Sequence, residues 1–260
     1  WAEQNPLNWW EAVNGIFEQI AHTLDSEIRQ NIRACCVCAT STTAIPVDQE
    51  GRPLMNAMMW MDARSRKEMQ EINDTGHPVL DYCGKETSFE WMIPKALWIK
   101  RHRKDIYDVC YRIVDQLDWM NYQLCGEWSS SICNTTCKWN YVSSMGGYQR
   151  DFFEQIGFED YEEKLTMRVD KIGDPVGTIR PELSEKYGFS REMQIVQGGG
   201  SLDGVYELLQ DDDGSLCVGV TVDNDGQSIP YFCVFSDLGQ TVMIALSDDS
   251  GLNGLYFVQE

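Results

Sequence analysis

Apolar residues recur at helical spacing near the start of the chain. Trp9, Val13, Ile16, Phe17, Ile20 and Leu24 follow the turn chemistry of Asn5-Pro6 and predict a helix reaching toward Gln30. Ile32 to Ala39 is different: short, continuous and rich in small apolar residues, as a buried strand is. Ala44 to Val47 and Pro53 to Trp60 predict two strands around the turn Asp48-Gln49-Glu50-Gly51. Arg64 to Asn73 predicts a charged helix, stopped by Thr75-Gly76-His77-Pro78.

The middle of the chain is more broken. Residues 79–90 read as irregular, and Met92 to Arg103, Ile106 to Val109 and Asp118 to Leu124 as helices. Residues 129–147, rich in Ser, Thr, Asn and Gly, read as a loop. Short helices follow at Arg150 to Ile156, Tyr161 to Leu165 and Pro181 to Tyr187, the last closed by Gly188. Gln194 to Gln197 predicts a strand running into Gly198-Gly199-Gly200. The pattern then changes. After the acidic turn Asp211-Asp212-Asp213-Gly214 come three strand-like runs, Leu216 to Val222, Tyr231 to Phe235 and Thr241 to Leu246. Alternating strands and helices followed by a meander imply an α/β fold with some antiparallel sheet.

Composition narrows the classes. With 43% hydrophobic residues among 260, a sizeable core can form. The formal net charge of −20 makes nucleic acid and anionic membrane poor partners. Lys100-Arg101-His102-Arg103-Lys104 is the one basic run, and it reads as a solvated helix end. No apolar run is long enough to span a membrane. Trp1 is not an initiator residue and no signal segment precedes the first helix, so the chain is expected to be a fragment or a processed product. The ten cysteines lack tetrahedral metal spacing. They fit buried small residues in a reducing compartment, and a cytoplasmic location is expected.

Several segments carry a resemblance. Trp1 to Pro6 with Trp9-Trp10, then Val47-Asp48-x-x-Gly51-x-Pro53-Leu54 and Trp60-Met61-Asp62-x-Arg64 come first. Glu90-Trp91-Met92-Ile93-Pro94-Lys95, Asp118-Trp119 with Leu124-x-Gly126, and Cys133 to Trp139 follow. Val176-Gly177-x-Ile179-x-Pro181-Glu182 and Val196-Gln197-Gly198-Gly199-Gly200 complete the order. In this collinear order, over about residues 1–205, the chain resembles the N-terminal domain of FGGY carbohydrate kinases, nearest to ribulokinase-like pentulose and polyol kinases.

The resemblance implies an actin-like ATPase, ribonuclease-H-like domain with a mixed central sheet flanked by helices. It implies ATP and Mg²⁺ as cofactors, a small sugar or polyol as substrate, and a C-terminal ATP-binding lobe that this chain lacks. Residues 1–210 would form the domain core. Residues 211–260 would complete the same sheet, with Leu216 to Val222, Tyr231 to Ser236 and Thr241 to Leu246 in the order of the family's first three strands, as in a circular permutant. Such a tail would cover the hydrophobic edge that the strand at 32–39 otherwise leaves.

For sugar contacts the candidates are Asp62 and Arg64, with Glu90, Lys95 and Lys138 behind them. A carboxylate can accept two hydroxyl hydrogens while a guanidinium steadies it. Gly199, Gly200, Gly226 and Ser228 are the candidates for phosphate. The family's general base is an Asp directly after the glycine run, where this chain has Ser201, with Asp203 two residues on. A serine is no base near neutral pH without help, so either Asp203 substitutes or catalysis is lost. Cys38 likewise stands near a place where the family often has Asp. Two functions are therefore carried forward: a pentulose or polyol kinase domain, and a sugar-binding or structural domain derived from one. A variant of the fold whose altered site residues have no biological meaning is a third reading.

Overall fold

The computed structural model describes residues 1–199 throughout. Beyond them it describes the backbone of five strands, 207–210, 216–219, 231–236, 241–245 and 255–258. The chain divides into two compact units. One comprises Trp1–Pro6, Ser41–Trp119 and Ser130–Val169; the other comprises Leu7–Thr40, Met120–Ser129 and Asp170–Glu260.

The helices in chain order are Pro6–Thr23 (α1), Ser26–Gln30 (α2), Arg66–Asp74 (α3), Met92–His102 (α4) and Lys104–Tyr107 (α5). Gln116–Cys125 (α6), Ile132–Lys138 (α7), Arg150–Gln155 (α8), Tyr161–Lys164 (α9) and Pro181–Tyr187 (α10) follow. The strands are Glu3–Gln4 (β1), Ile32–Cys38 (β2), Ala44–Val47 (β3), Ala57–Met58 (β4), Arg112–Asp115 (β5), Ser130–Ser131 (β6) and Val169–Asp170 (β7). Pro175–Thr178 (β8), Gln194–Val196 (β9), Glu207–Gln210 (β10), Leu216–Gly219 (β11), Tyr231–Ser236 (β12), Thr241–Ala245 (β13) and Leu255–Val258 (β14) complete them.

The first unit is built on a four-stranded sheet in the order β1-β4-β3-β5. Its strands are short, and β3 is buried along its length because β4 and β5 flank it. Helix α4 is buried from Met92 to Ile99, so its sequence shows little polar face. Around it pack Ile113, Trp139, Phe152, Phe153 and Phe158. Phe153 stacks on Tyr161 with ring centroids 4.1 Å apart.

The second unit carries a six-stranded mixed sheet in the order β14-β13-β12-β2-β9-β8. β2 is central, parallel to β9 and antiparallel to β12, which explains its continuous apolar run. The apolar stripe of α1 buries Val13, Ile16, Phe17 and Ile20, and Phe17 meets Tyr187 and Phe189 edge-on. At the end of α10, Gly188 takes φ 73°, a left-handed cap that glycine adopts without a Cβ penalty.

Several expectations are corrected. The segment read as irregular holds a 3₁₀ helix at Pro78–Cys83. The segment read as a loop at 129–147 holds β6 and α7. Its Thr and Asn content is poor for a helix, yet Thr135 and Thr136 turn their hydroxyls onto the helix's own carbonyls at Ser131 and Ile132. β5 was not expected, nor were β8, β10 and β14. Leu216–Gly219 pairs with β10 in a separate two-stranded ladder instead of joining the strand at 32–38.

Candidate functional site

The first unit holds all five residues expected to contact sugar, Asp62, Arg64, Glu90, Lys95 and Lys138. Asp62 is buried and accepts from the Ala2 N–H at 2.6 Å, the Arg64 N–H at 3.0 Å, and Arg64 Nε and Nη2 at 2.8 Å each. Arg64 Nη2 also donates to Glu3 at 2.7 Å, and the Trp1 ring lies 4.0 Å from its guanidinium carbon. Burial opposes the Asp62 charge, yet the Arg64 and Ala2 hydrogen bonds outweigh it and hold its pKa below the usual value. The pair is a buried clasp fastening the β1 segment beside β4, and its carboxylate is fully engaged inside the protein.

Lys95 is likewise engaged inside the protein. It is fully buried in α4 and donates to the carbonyls of Thr42, Met59 and Trp60 at 2.7, 2.7 and 3.0 Å. An ammonium has three donors, so none remains for a sugar. Burial pushes its pKa down to about 7, against the pull of Asp115, Asp62 and Glu90; the like charge of Lys138 adds to the fall. Those groups therefore share one electrostatic neighbourhood. Glu90 and Lys138 are half-buried within it, and the Glu90 carbonyl accepts from the Thr42 hydroxyl at 2.7 Å.

The centre of this neighbourhood is a group that sequence reasoning did not single out. Asp115, at the end of β5, accepts from the N–H groups of Thr42, Thr43 and Gln116 at 2.8, 3.0 and 2.8 Å and from Asn134 Nδ2 at 3.1 Å. Burial nonetheless pushes its pKa up to about 6. Thr42 has φ 76°, a conformation a β-branched residue rarely takes. The Ser41–Thr43 turn is thus held in strain by its partners, a pattern concentrated at functional sites.

Among the buried oxygens of this unit without a protein partner are Ser41 Oγ, beside Thr42 in sequence, Ser131 Oγ at the start of α7, Asn134 Oδ1, whose amide nitrogen donates to Asp115, and Asp118 Oδ1. A buried oxygen without a donor costs about 1–3 kcal/mol, so these atoms await hydroxyl or amine hydrogens. Asp118 lies fully buried nearby, hydrogen-bonded to Ser130, and burial beside Asp115 pushes its pKa well up. A Ser/Thr/Asn-rich stretch that buries its side chains was the available signal for Ser131 and Asn134.

The glycine run belongs to the second unit. A Cβ on Gly198 would stand 1.8 Å from the Val37 carbonyl oxygen, so this glycine is required by close backbone packing rather than by a phosphate. The Cys38 sulfur takes hydrogen bonds from the Cys36 thiol, the larger effect, and from the Gly199 N–H; despite burial its pKa falls to about 7. Ser201, Asp203, Gly200, Gly226 and Ser228 lie outside the described residues, as does the acidic turn at 223–225. No cluster of three or more potential metal ligands occurs among the described residues.

Residues 1–208 match the family described as "FGGY family of carbohydrate kinases, N-terminal domain". The chain belongs to the FGGY family of carbohydrate kinases. It is 29% identical over 180 residues to the human FGGY carbohydrate kinase domain-containing protein, covering 67% of this chain and 32% of that one. It is 25% identical to a ribulokinase of Bacillus licheniformis, covering 72% and 37%. A xylulose kinase structure from Rhodospirillum rubrum superposes with a TM-score of 0.67 at 16% identity, covering 99% of this FGGY chain and 51% of the other. The fold is therefore the actin-like, ribonuclease-H-like α/β fold of the FGGY kinases. The chain spans about a third of the length of the curated relatives it matches.

Proposed function

We propose that this chain is the sugar-binding domain of an ATP-dependent kinase acting on a pentulose such as ribulose, or on a short polyol. The observation that carries the reading is the set of buried, unpartnered oxygens on Ser41, Ser131 and Asn134, in the same unit as Asp115, which Asn134 contacts. Adjacent hydroxyls of one small ligand would supply the missing hydrogens. Glu90 and Lys138 flank this cluster and are proposed as further contacts. Relatives named ribulokinase and xylulose kinase support the substrate class. Asp203 is proposed as the base that takes the proton of the reacting hydroxyl; ATP and Mg²⁺ would be handled largely by a further lobe. The eight described cysteines are free thiols, which supports a cytoplasmic setting.

Ser201, in place of the family's Asp, favours a second reading, a domain that binds sugar without phosphorylating it. Thermal unfolding of the chain with millimolar ribulose, xylulose and ribitol, paired with an ADP-release assay, separates the possibilities. One of these ligands should raise Tm, and Ser131→Ala with Asn134→Ala should abolish the rise. A Tm indifferent to all three would sink both readings. ADP release on adding an FGGY C-terminal lobe in trans favours the kinase; its persistent absence, with the Tm rise intact, favours the binding domain.

A further inference from the structure

Helix α7 carries two thiols that no role above employs. Cys133 and Cys137 stand four residues apart on Ile132–Lys138, which places them on one face, a turn apart. Neither is in a disulfide; Cys133 is half-buried and Cys137 is exposed. The Cys133 thiol donates to the Cys137 sulfur. That bond, opposed by partial burial and aided by the neighbouring Lys138 charge, lowers the Cys137 pKa to about 6. Cys36 and Cys38 form a second hydrogen-bonded pair, but their sulfurs are buried or half-buried. Among the described residues, only the α7 pair joins an exposed thiol to a thiol neighbour within hydrogen-bonding reach.

We propose that Cys133 and Cys137 form an oxidant-reactive dithiol that hydrogen peroxide converts into an intrahelical disulfide. The Cys137 thiolate attacks one peroxide oxygen. An S–O bond forms, the O–O bond breaks, and the departing oxygen leaves as hydroxide and is protonated to water. The Cys133 sulfur then attacks the sulfenic sulfur of Cys137. The S–S bond forms, the S–O bond breaks, and the hydroxyl leaves as water with the Cys133 proton. Two thiols are oxidised by two electrons, and one peroxide is reduced to two waters.

The helix permits this reaction but does not rest in the product geometry. A disulfide needs Cβ atoms about 3.8 Å apart, whereas residues four apart on a helix hold them at about 5–6 Å. The turn must tighten or unwind, and it is the terminal one, since α7 is capped by Trp139. Asn134 lies between the two cysteines on the same helix and donates to Asp115. Oxidation therefore acts on an element of the candidate sugar site. That consequence rests on the function proposed above; the thiol chemistry does not.

The full chain tests the proposal in two steps. At pH 6 about half of Cys137 is thiolate, against about 0.3% for an ordinary thiol, while its intrinsic nucleophilicity is about ten to twenty times lower. Brief iodoacetamide treatment followed by peptide mass spectrometry should thus label Cys137 about tenfold faster than the median of the other cysteines. Hydrogen peroxide should then remove two hydrogens from the peptide holding both residues, with little dimedone-trapped sulfenic acid. In Cys133→Ser the sulfenic acid at Cys137 should accumulate and be trapped. Cys137 labelling no faster than the median, or equal dimedone trapping in wild type and Cys133→Ser, would overturn the assignment. Cys133 is only half-buried, and matching far-ultraviolet dichroism confirms that Cys133→Ser is folded.

Discussion

Lys95 and Asp115 grip one turn through opposite poles of its backbone. Lys95 donates to the Thr42 carbonyl, and Asp115 accepts from the Thr42 and Thr43 N–H groups. The sequence separates the two by 20 residues and places them on a helix and a strand, yet they fix the same strained peptide.

This arrangement predicts an unusual pH dependence. Lys95 titrates near 7 in the folded chain and near 10.5 when unfolded, so between those values the unfolded state binds more protons. Stability contributed at this site therefore rises as pH increases from about 7 to about 10. Lys95→Met leaves three buried carbonyls without their donor and should cost at least about 2 kcal/mol. The gap between wild type and variant, read from urea midpoints, should widen across that pH range. A constant gap would show that Lys95 is not buried as a strained cation.

Thr42 supplies a test of the strain itself. Its φ of 76° penalises any side chain with a Cβ, while its hydroxyl serves the Glu90 and Ser41 carbonyls. Thr42→Ala keeps the strain and loses the hydrogen bonds, so it should cost about 1–2 kcal/mol. Thr42→Gly loses the same bonds but relieves the strain, and should unfold about 1 kcal/mol later than the alanine variant. Equal stability of the two would argue against the left-handed turn.

Legibility in the sequence followed the source of each element's stability. The stripe of α1 and the run of β2 were readable because burial alone dictates them. Helix α7 was not, because Asn134, Thr135 and Thr136 have weak helix propensity and the helix depends on local back-bonding and on Asp115. The motif Trp60-Met61-Asp62-x-Arg64 was legible as a motif, but its internal hydrogen bonds were not. Its charged pair closes a clasp, while Ser41, Ser131 and Asn134 present the unpartnered oxygens. No local pattern announces a carboxylate that finds its donors 72 and 73 residues away.

The two buried carboxyls should respond oppositely to amide replacement. Asp115 accepts four N–H groups, and an amide has only one oxygen to offer them. Asp115→Asn should therefore cost about 2–4 kcal/mol at pH 7. Burial beside Asp115 pushes the Asp118 pKa well up, which favours its neutral form, so Asp118→Asn is the milder replacement and should cost under about 1 kcal/mol. Urea unfolding of both variants checks the contrast; a costly Asp118→Asn would mean that this carboxyl is ionised.

Two glycines make a matched pair for the second unit. At Gly198 an added Cβ would lie 1.8 Å from a backbone oxygen of Val37, far inside contact distance, and neither strand end can yield without disturbing the pairing of β2 with β9. Gly198→Ala should cost more than about 3 kcal/mol and strongly lower the yield of folded protein. Gly15 lies within α1, where nothing stands within 4 Å of an added Cβ. There Gly15→Ala restricts the unfolded chain without a clash and should raise stability by about 0.5–1 kcal/mol. Differential scanning calorimetry should move the two variants in opposite directions. A tolerated Gly198→Ala would mean that the backbones of Val37 and Gly198 do not meet, and with them would go the placement of the glycine run at the end of β9.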